Sequence, residues 1–325
     1  MRTASPFFGN SRSPVAGECG RVIDRAAVCG YTAFRMLHRV QTVAPAKINL
    51  GLEVFPRRAD GYHDIAGIFT TVAVADRLTV CRSLKKGCSV SCPGMVLPPD
   101  NTIVRAYKAF CVLTGISEGV DVHLEKHIPA GGGLGGGSSD ASSFIQSIDA
   151  LFGTGLTAAD KCALAAEVGS DVFFFTHALL SDCCGGRFAA LVHGRGEHVV
   201  PVPARTDYTV LLVFPSAGVS TPEAYRLLDG RQAVRTERFP YTEAHPLVAE
   251  YRKPGAEWRF CNDFTGPVGS RYPEIQRALA AVRAAGADFT DMSGSGSTVY
   301  GIFVDPELAR RAQQKLAGDW RAVLA

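Results

Sequence analysis

The sequence has no apolar run that approaches the roughly 20 residues needed for a membrane-spanning helix. It also has little excess charge, because 34 lysine and arginine residues are nearly balanced by 31 aspartate and glutamate residues, for a net charge of +3. This composition does not indicate the strongly basic face with which many proteins bind nucleic acid. We therefore expect a soluble protein with no membrane partner and no nucleic-acid partner.

Cysteine pairs at metal-ligand spacing are also absent. The chain has ten cysteines, but no C-x-x-C pair and no paired histidines at a spacing typical of zinc sites. We expect free thiols in a reducing, cytoplasmic setting. Cys111 and Cys162 lie in helical patterns where cysteine acts as a small apolar residue, and we assign no cysteine a catalytic role.

The chain is long enough for two domains of about 150 residues each, and 46% of its 325 residues are hydrophobic. Residues 1–40 are arginine-containing and acid-poor, and we expect an N-terminal extension that is disordered or outside the functional protein. A transit peptide and an upstream start codon, with Met36 as the functional start, are both open; we favour the second. A composition shift near residues 201–203 suggests one domain over 41–202 and another over 203–325.

The most informative segment is a glycine-rich loop, in which six glycines surround Leu134. An apparent strand over residues 120–128 precedes the loop, and an amphipathic helix that ends at Gly153 follows it. We expect Ser138, Ser139 or Asp140 to cap this helix. Unpaired amides and the positive end of the helix dipole would then face a loop without obstructing side chains, which is an arrangement that binds phosphate.

Three other interpretations of this loop are weaker. A flexible surface turn would more often mix glycine with serine, asparagine and lysine. A dinucleotide fold is suggested by Gly131, Gly133 and Gly136, but it requires a second parallel strand about 20 residues on, where residues 157–168 predict a helix. A Walker P-loop requires a lysine that closes the loop, and no lysine lies between Lys126 and Lys161.

Two polar positions become candidates only in combination. Residues 42–54 alternate as a strand, with Ile48, Leu50, Leu52 and Val54 predicted on the core face and Lys47 on the opposite face. Alone, Lys47 is most simply a solvated lysine. Asp171 follows a predicted helix that begins with a capping pattern at Thr157 and ends at Gly169, and alone it is most simply a turn cap. Each becomes a functional candidate only if the fold brings it close to the phosphate-binding loop.

The remaining elements predict a mixed α+β second domain. Strands are expected over residues 208–214 and 298–304, and helices from Pro222, over 273–285 and from Pro306. Residues 293–297 alternate serine and glycine, and this segment is either a tight turn or a second loop that faces phosphate or substrate. Residues 57–64 have a composition typical of a turn, and a second apolar run follows them. This pattern suggests a hairpin with Tyr62 and His63 at its mouth.

Taken together, the segments APAKINLGLEV, PAGGGLGGGSSDAS and MSGSGSTVYGIF, in this order, resemble the three signature motifs of the GHMP small-molecule kinases. The resemblance runs from about Thr42 to the C-terminus. It implies an α+β, two-domain fold: an N-terminal mixed sheet with helices forming the ATP site, and a C-terminal ferredoxin-like α+β domain. Within the family, the sequences of the segments APAKINL, RADGYHDI, GLGGGSS and GSDV resemble those of one branch. Enzymes of that branch phosphorylate the 2-hydroxyl of a cytidine diphosphate alcohol in isoprenoid precursor synthesis.

The resemblance also implies roles for individual residues. Asp171 would be the catalytic base, and Lys47 would keep it ionised and neutralise charge on the transferred phosphoryl group. Mg²⁺ is expected with ATP, near Ser138 or Ser139. The ATP phosphates would be bound by Pro129, Ala130, Gly131, Gly132, Gly133, Leu134, Gly135, Gly136, Gly137, Ser138 and Ser139.

On the substrate side, the implied residues are Asn49, Tyr62, His63, Thr221 and Tyr225, with Tyr225 stacked on the cytosine ring. The sequence departs from the family pattern at Phe173, where a proline is usual. Asp140 could replace Asp171 as base or contact magnesium, although capping explains it better. A kinase for another alcohol and a non-catalytic nucleotide sensor remain alternatives, and the oligomeric state could be a monomer or a homodimer.

Overall fold

The computed structural model describes residues 37–181, 186–230 and 239–325. The predicted N-terminal extension and the proposed start at Met36 therefore lie outside the described residues, as do Cys19, Cys29, Cys183 and Cys184. Among the described residues, every helix is too short or too polar to cross a membrane.

The first half of the chain is built on a long hairpin. Strands β1 (Arg39–Arg57) and β2 (His63–Ser83) pair antiparallel along nearly their whole length, and the predicted turn joins them. The hairpin is part of a six-stranded mixed sheet with β3 (Cys88–Ser91), β4 (Gly119–Glu125), β5 (Ala189–Gly194) and β6 (His198–Val202). The sheet is mixed because β3 pairs parallel with β4, whereas the other pairs are antiparallel.

The predicted burial of Ile48, Leu50, Leu52 and Val54 is confirmed, but the prediction that all four lie on one face of β1 is wrong. A register shift occurs between Leu50 and Leu52, and Gly51 between them has a φ of 69°. This bulge switches the strand's faces, since one extra residue reverses which side chains point to each side. Ile48 and Leu50 consequently lie in one hydrophobic cluster, whereas Leu52 and Val54 lie in another.

Four helices cover the first sheet: α1 (Thr102–Thr114), α2 (Gly136–Phe152), α3 (Ala158–Val168) and α4 (Ser170–Leu180). Their apolar faces form a core with β2 and β4 that contains Phe110, Phe144 and Leu164. The predicted cap of α3 is confirmed, because the Thr157 side chain accepts from the Asp160 backbone and the Asp160 side chain accepts from the Thr157 backbone.

The second half forms an antiparallel sheet in the order β10-β7-β9-β8, from β7 (Thr209–Phe214), β8 (Phe289–Met292), β9 (Val299–Phe303) and β10 (Arg321–Leu324). Its helices are α5 (Thr221–Asp229), α6 (Pro246–Tyr251), α7 (Thr265–Arg271), α8 (Pro273–Ala284) and α9 (Pro306–Leu316). Helices α5, α6, α7 and α8 lie between β7 and β8, and α9 lies between β9 and β10, so the order is the βαββαβ pattern of ferredoxin-like folds with additional helices in its first connection.

The two halves share hydrophobic cores. Ile48 and Leu50 of β1 lie in one cluster with Trp258, Tyr300 and Ile302 from the second half. The first sheet ends at Val202 and the second begins at Thr209; the domain boundary at residues 202 and 203 stays a prediction. Because packed side chains cross between the halves, groups from both are held at fixed distances from one another.

Candidate active site

A cleft of about 1100 Å³ lies between the two halves. It brings together every predicted site residue except Ser139. The predicted residues in its lining are Lys47, Asn49, Tyr62, His63, Asp171, Thr221, Tyr225 and the loop from Pro129 to Ser138. These residues come from the hairpin, the glycine-rich loop, the start of α4 and the start of α5. The cleft therefore unites sequence segments that lie far apart in the chain.

Lys47 lies inside the protein, not on a solvated face. Its side chain is only 4% exposed, and its Nζ donates to Asn49 Oδ1 at 2.7 Å and to the Gly133 carbonyl at 3.0 Å. Burial lowers the pKa of Lys47, and the nearby Asp171 carboxylate opposes that lowering. The ammonium group is thus held by oxygen atoms of β1 and of the glycine-rich loop at the floor of the cleft.

Asp171 lies in the first turn of α4, with its Oδ2 3.6 Å from Lys47 Nζ. The carboxylate is 35% exposed and lines the cleft, so a bound molecule can reach it. Phe173 does not interrupt α4, and its partly buried side chain packs against the core beneath the helix. Asp171 and Lys47 therefore form an ion pair in which the ammonium group is buried and the carboxylate is accessible from the cleft.

The glycine-rich loop is fixed from both sides. The Lys47 backbone N–H donates to the Leu134 carbonyl at 3.0 Å, which joins the loop to β1. From the serine-glycine segment 293–297, Ser293 Oγ donates to the Gly133 carbonyl at 3.0 Å, and just beyond it the Thr298 N–H donates to the Gly132 carbonyl at 3.2 Å. The interpretation of the glycine-rich loop as a flexible surface turn is therefore not supported by its contacts.

Two of the glycines are required by close approach. Gly133 has a φ of 75°, and a Cβ atom there would lie 2.0 Å from the Ser293 carbonyl oxygen. Gly135 has a φ of 70°, and its Cβ would lie 2.8 Å from the Phe175 ring. A side chain at either position would meet both backbone strain and a neighbour that is packed in place. The same glycines leave backbone N–H groups uncovered where the loop enters α2.

The predicted caps of α2 are wrong. The helix begins at Gly136, and its N-cap is Gly135 in the left-handed conformation, with no side-chain cap. Sequence patterns did not reveal this start, because glycine is a poor marker of helix interiors and the serines that follow are common caps. Ser138 lines the cleft, whereas Ser139 is fully buried, and its Oγ has no hydrogen-bond partner among the described residues.

Asp140 is likewise not a capping residue. It lies in the second turn of α2, is 3% exposed, and its Oδ2 accepts from Lys126 Nζ at 2.9 Å. Lys126 also donates to Asp76 Oδ2 at 2.5 Å. Asp140 therefore belongs to a buried ion cluster beside the glycine-rich loop, separate from the Lys47 and Asp171 pair.

The other end of the cleft is aromatic. His63 stacks on Tyr225, with ring centroids 5.0 Å apart, and its Nε2 lies 3.3 Å from Asp229 Oδ1. Tyr62 is 58% exposed at the cleft mouth, and Thr221 Oγ1 is 3.1 Å from Ser295 Oγ. This end offers flat apolar faces with polar atoms at their edges, which suits a heteroaromatic ring.

Three arginines in the cleft were missed by the sequence argument. Arg57, Arg195 and Arg226 all line it, and the Arg195 guanidinium lies 5.1 Å from the Tyr62 ring centroid. Arg195 stands in a Gly-Arg-Gly turn between β5 and β6, a pattern that could have drawn attention to it. Arginine is well suited to bind phosphate groups, because its planar fork of N–H donors matches their oxygens.

A further missed group supports the serine-glycine segment from behind. Asn262 Nδ2 donates to the carbonyls of Met292 and Gly294 at 2.8 Å and 2.7 Å. Asp291 accepts from the Asn262 backbone N–H at 3.0 Å and from Thr265 Oγ1 at 2.5 Å. Burial raises the pKa of Asp291 to about 6, although its hydrogen-bond donors oppose the rise.

The described residues also show which metal and thiol chemistry the protein can offer. Within the ranges that the structure describes, no group of three or more histidine, cysteine or acidic side chains could hold a metal ion. No disulfide joins the described cysteines, and burial raises the pKa of Cys88 to about 12. Ser138, unlike the buried Ser139, lines the cleft, and its hydroxyl suits Mg²⁺, which prefers oxygen ligands and is commonly held through substrate phosphates.

The chain matches two family models and several known proteins. The models are the GHMP kinases N terminal domain, over residues 101–178, and the GHMP kinases C terminal, over residues 254–322. It is 43% identical over 283 residues to 4-diphosphocytidyl-2-C-methyl-D-erythritol kinase of Treponema pallidum (strain Nichols), covering 85% of this chain and 94% of the relative. The corresponding kinase of Geobacillus sp. (strain WCH70) is 33% identical, over 86% of this chain and 93% of the relative.

Solved structures of kinases also match the fold of this chain. A crystal structure of 4-(cytidine 5'-diphospho)-2C-methyl-D-erythritol kinase matches with a TM-score of 0.71 and 32% identity, covering 88% of this chain and 98% of that one. Mevalonate kinase of Methanococcus jannaschii matches with a TM-score of 0.60 over 89% of this chain and 98% of that one. Its identity of 13% restricts that likeness to the fold.

Proposed function

The chain belongs to the 4-diphosphocytidyl-2-C-methyl-D-erythritol kinases of the GHMP family, and we propose that it phosphorylates the 2-hydroxyl of that cytidyl alcohol with ATP. The predicted α+β, two-domain fold and the predicted class of ATP-dependent small-molecule kinase are confirmed by this membership. The relatives' names support the acceptor. The roles of individual residues, the magnesium ion and a cytoplasmic location are part of the proposal.

One observation carries the proposed mechanism: Asp171 Oδ2 and Lys47 Nζ lie 3.6 Å apart between the glycine-rich loop and the aromatic end of the cleft. Asp171 accepts the proton of the 2-hydroxyl as that oxygen attacks the γ-phosphorus of ATP, and ADP leaves. Lys47 neutralises charge on the transferred phosphoryl group. Phosphoryl transfer depends mainly on such positioning and charge stabilisation.

The glycine-rich loop binds the ATP phosphates in this mechanism. Backbone N–H groups around Gly135 and Gly136 stand at the start of α2, where the helix dipole is positive and no side chain caps the helix. These amides take the place of the Walker lysine, which this loop lacks. Mg²⁺ bound with ATP would screen the phosphate charge, and the hydroxyl of Ser138, which lines the cleft, is its candidate protein ligand, whereas the buried Ser139 is not.

The aromatic end binds the cytidyl group. The cytosine ring packs against Tyr62 and Tyr225, and His63 and Thr221 provide polar groups at its edges. Arg195 lies beside the Tyr62 ring, where it can pair with the diphosphate of the acceptor. Asn49 orients the Lys47 ammonium group at the reacting end. A smaller acceptor such as homoserine would leave these aromatic and arginine groups without partners.

The two alternatives make different predictions. A kinase for another alcohol would keep Lys47, Asp171 and the loop, but it would not lose turnover of its substrate when Tyr62 or His63 is replaced. A nucleotide sensor would bind ATP without turnover. The close pair of Lys47 and Asp171 argues against the sensor, because binding alone requires no base.

The test is ADP formation by the full chain with ATP and Mg²⁺. The acceptors are 4-diphosphocytidyl-2-C-methyl-D-erythritol, mevalonate and homoserine, with a fourth sample that lacks acceptor. ADP formation only with the cytidyl alcohol supports the proposal. Preference for another acceptor overturns the assigned substrate, and ATP binding without turnover in any sample favours the sensor.

A further inference from the structure

A buried ion cluster joins the two ends of the glycine-rich loop. Its members are Asp76, Lys126 and Asp140, with exposed side-chain fractions of 0%, 11% and 4%. Lys126 Nζ donates to Asp76 at 2.5 Å and to Asp140 at 2.9 Å. Neither carboxylate takes part in the proposed chemistry, so the cost of burying three charges requires another explanation.

The cluster's members lie on three elements around the loop. Lys126 directly follows β4, in the segment that enters the loop, and Asp140 lies on α2, into which the loop leads. Asp76 lies on β2, and its Oδ1 accepts from the backbone N–H groups of His127 at 2.5 Å and Ile128 at 2.8 Å. The entry and the exit of the loop are therefore tied to each other and to the central sheet.

The lysine also lies very close to the helix start. A Cβ atom on Gly136 would be 3.0 Å from Lys126 Nζ, so the ammonium group passes directly beside the first residue of α2. Both Lys126 and Asp140 line the cleft. Asp140 Oδ1 is buried without a hydrogen-bond partner among the described residues. A shift of Asp140 would therefore move the first turns of α2, whose amides face the cleft.

From this geometry we infer that Asp140, acting through Lys126 and Asp76, is a positioning residue that fixes the spacing between the loop entry and the N-terminus of α2 for ATP binding. The inference rests on the proposed function only in placing ATP phosphates at this loop. Asp140 touches none of the reacting atoms in that proposal. Loss of the Asp140 charge should therefore weaken ATP binding and leave the affinity for the acceptor unchanged.

The chain offers a matched control on the same helix. At the other end of α2, Asp149 Oδ2 lies 2.8 Å from Lys161 Nζ, and both side chains are largely buried. Asp149→Asn removes the carboxylate that α2 contributes to a buried pair with Lys161 of α3, as Asp140→Asn removes the one that pairs with Lys126, but it does so far from the loop. A general loosening of α2 would affect both variants alike, whereas a positioning role is specific to Asp140.

The experiment compares Asp140→Asn, Asp149→Asn and the unchanged protein at about pH 8, where Asp140 is ionised, by steady-state kinetics and by direct binding of a non-hydrolysable ATP analogue. We expect Asp140→Asn to raise the KM for ATP and the analogue Kd by about tenfold or more, with the acceptor KM unchanged. Asp140→Glu should recover part of the loss, and Asp149→Asn should leave both constants for ATP unchanged.

Unchanged ATP constants in Asp140→Asn, or an equal rise in Asp149→Asn, would overturn the inference. If Asp140→Asn does not fold, the double variant Lys126→Met with Asp140→Leu is tested in the same way; it removes one charge of each sign and leaves Asp76 to the backbone N–H groups of His127 and Ile128. The analogue binding needs no acceptor. If the assigned acceptor is wrong, the unchanged protein will not turn it over. The binding data still test the positioning role in that case.

Discussion

At the scale of single residues, the site depends on a charged side chain in a place where charge is costly. Lys47 is 4% exposed, and its ammonium group is surrounded by the oxygens of Asn49, Gly133 and Asp171. Sequence spacing could not reveal this, because an alternating strand predicts a solvated lysine. The family motif pointed to Lys47, and the structure explains its burial by the packing of both faces of β1.

Replacement of Asp171 by asparagine should remove the base and keep the shape of the cleft. We expect turnover to fall by about 100- to 10,000-fold, the usual contribution of a general base, while ATP-analogue binding persists. Asp160→Asn is the control, since Asp160 also lies in the first turn of a helix but has only a capping role. Near-normal turnover by Asp171→Asn would show that another group takes the proton.

The Asp140 cluster predicts a pH dependence of stability. Burial raises the pKa of Asp140 to about 7, Lys126 opposes the rise and Asp76 adds to it. The folded protein therefore binds more protons at this site than the unfolded chain between about pH 4 and about pH 7. The contribution of Asp140 to the free energy of unfolding should fall as pH rises through this window. The third titratable neighbour, Cys92, stays neutral there because burial raises its pKa.

Urea unfolding at about pH 5 and about pH 8 measures this effect in the unchanged protein and in Asp140→Asn. We expect the loss of stability between the two pH values to be smaller in the variant. An identical pH dependence in both proteins would mean that Asp140 is already ionised at the lower pH in the folded state.

At the scale of elements, the glycine-rich loop is held by its neighbours. Its carbonyls accept from the backbone of Lys47, the side chain of Ser293 and the backbone of Thr298. The flanking strand and helix could be predicted because their apolar residues recur at regular intervals. The start of α2 at Gly136 and the bulge at Gly51 could not, since glycine accepts many conformations and carries no signal of which one it adopts.

Two alanine substitutions separate backbone strain from steric contact in this loop. Gly131 and Gly133 both have positive φ values, 68° and 75°, but a Cβ on Gly131 meets nothing within 4 Å, whereas one on Gly133 meets the Ser293 carbonyl at 2.0 Å. Gly131→Ala should cost about 1 kcal/mol of unfolding free energy from strain alone.

Gly133→Ala should cost clearly more than Gly131→Ala, because the Ser293 carbonyl must move as well. Thermal and urea unfolding of the two variants provide the comparison. Equal losses of stability would indicate that the segment 293–297 does not hold the loop as the hydrogen bonds suggest.

At the scale of the whole molecule, the cleft exists because the two halves share cores. The Tyr300 hydroxyl of β9 donates to the Asn49 carbonyl of β1 at 2.9 Å, across 251 positions of sequence. Tyr225 of the second half reaches the cleft beside Lys47 and Asp171 of the first half for the same reason. Residue periodicity predicts local elements and says nothing about such long-range contacts. Their meeting was predictable only from the resemblance to a family. The arginines, which no motif marked, were missed, as was the pairing of Asp140 with Lys126 and of Lys126 with Asp76.

The central claim is that this protein transfers the γ-phosphoryl group of ATP to the cytidyl alcohol. The most direct measurement incubates the full chain with Mg²⁺, γ-labelled ATP and 4-diphosphocytidyl-2-C-methyl-D-erythritol, and locates the label in the products by chromatography and phosphorus NMR. We expect a labelled phosphate monoester on the 2-hydroxyl of the acceptor. Label that stays in ATP, or that appears only as inorganic phosphate, would contradict it.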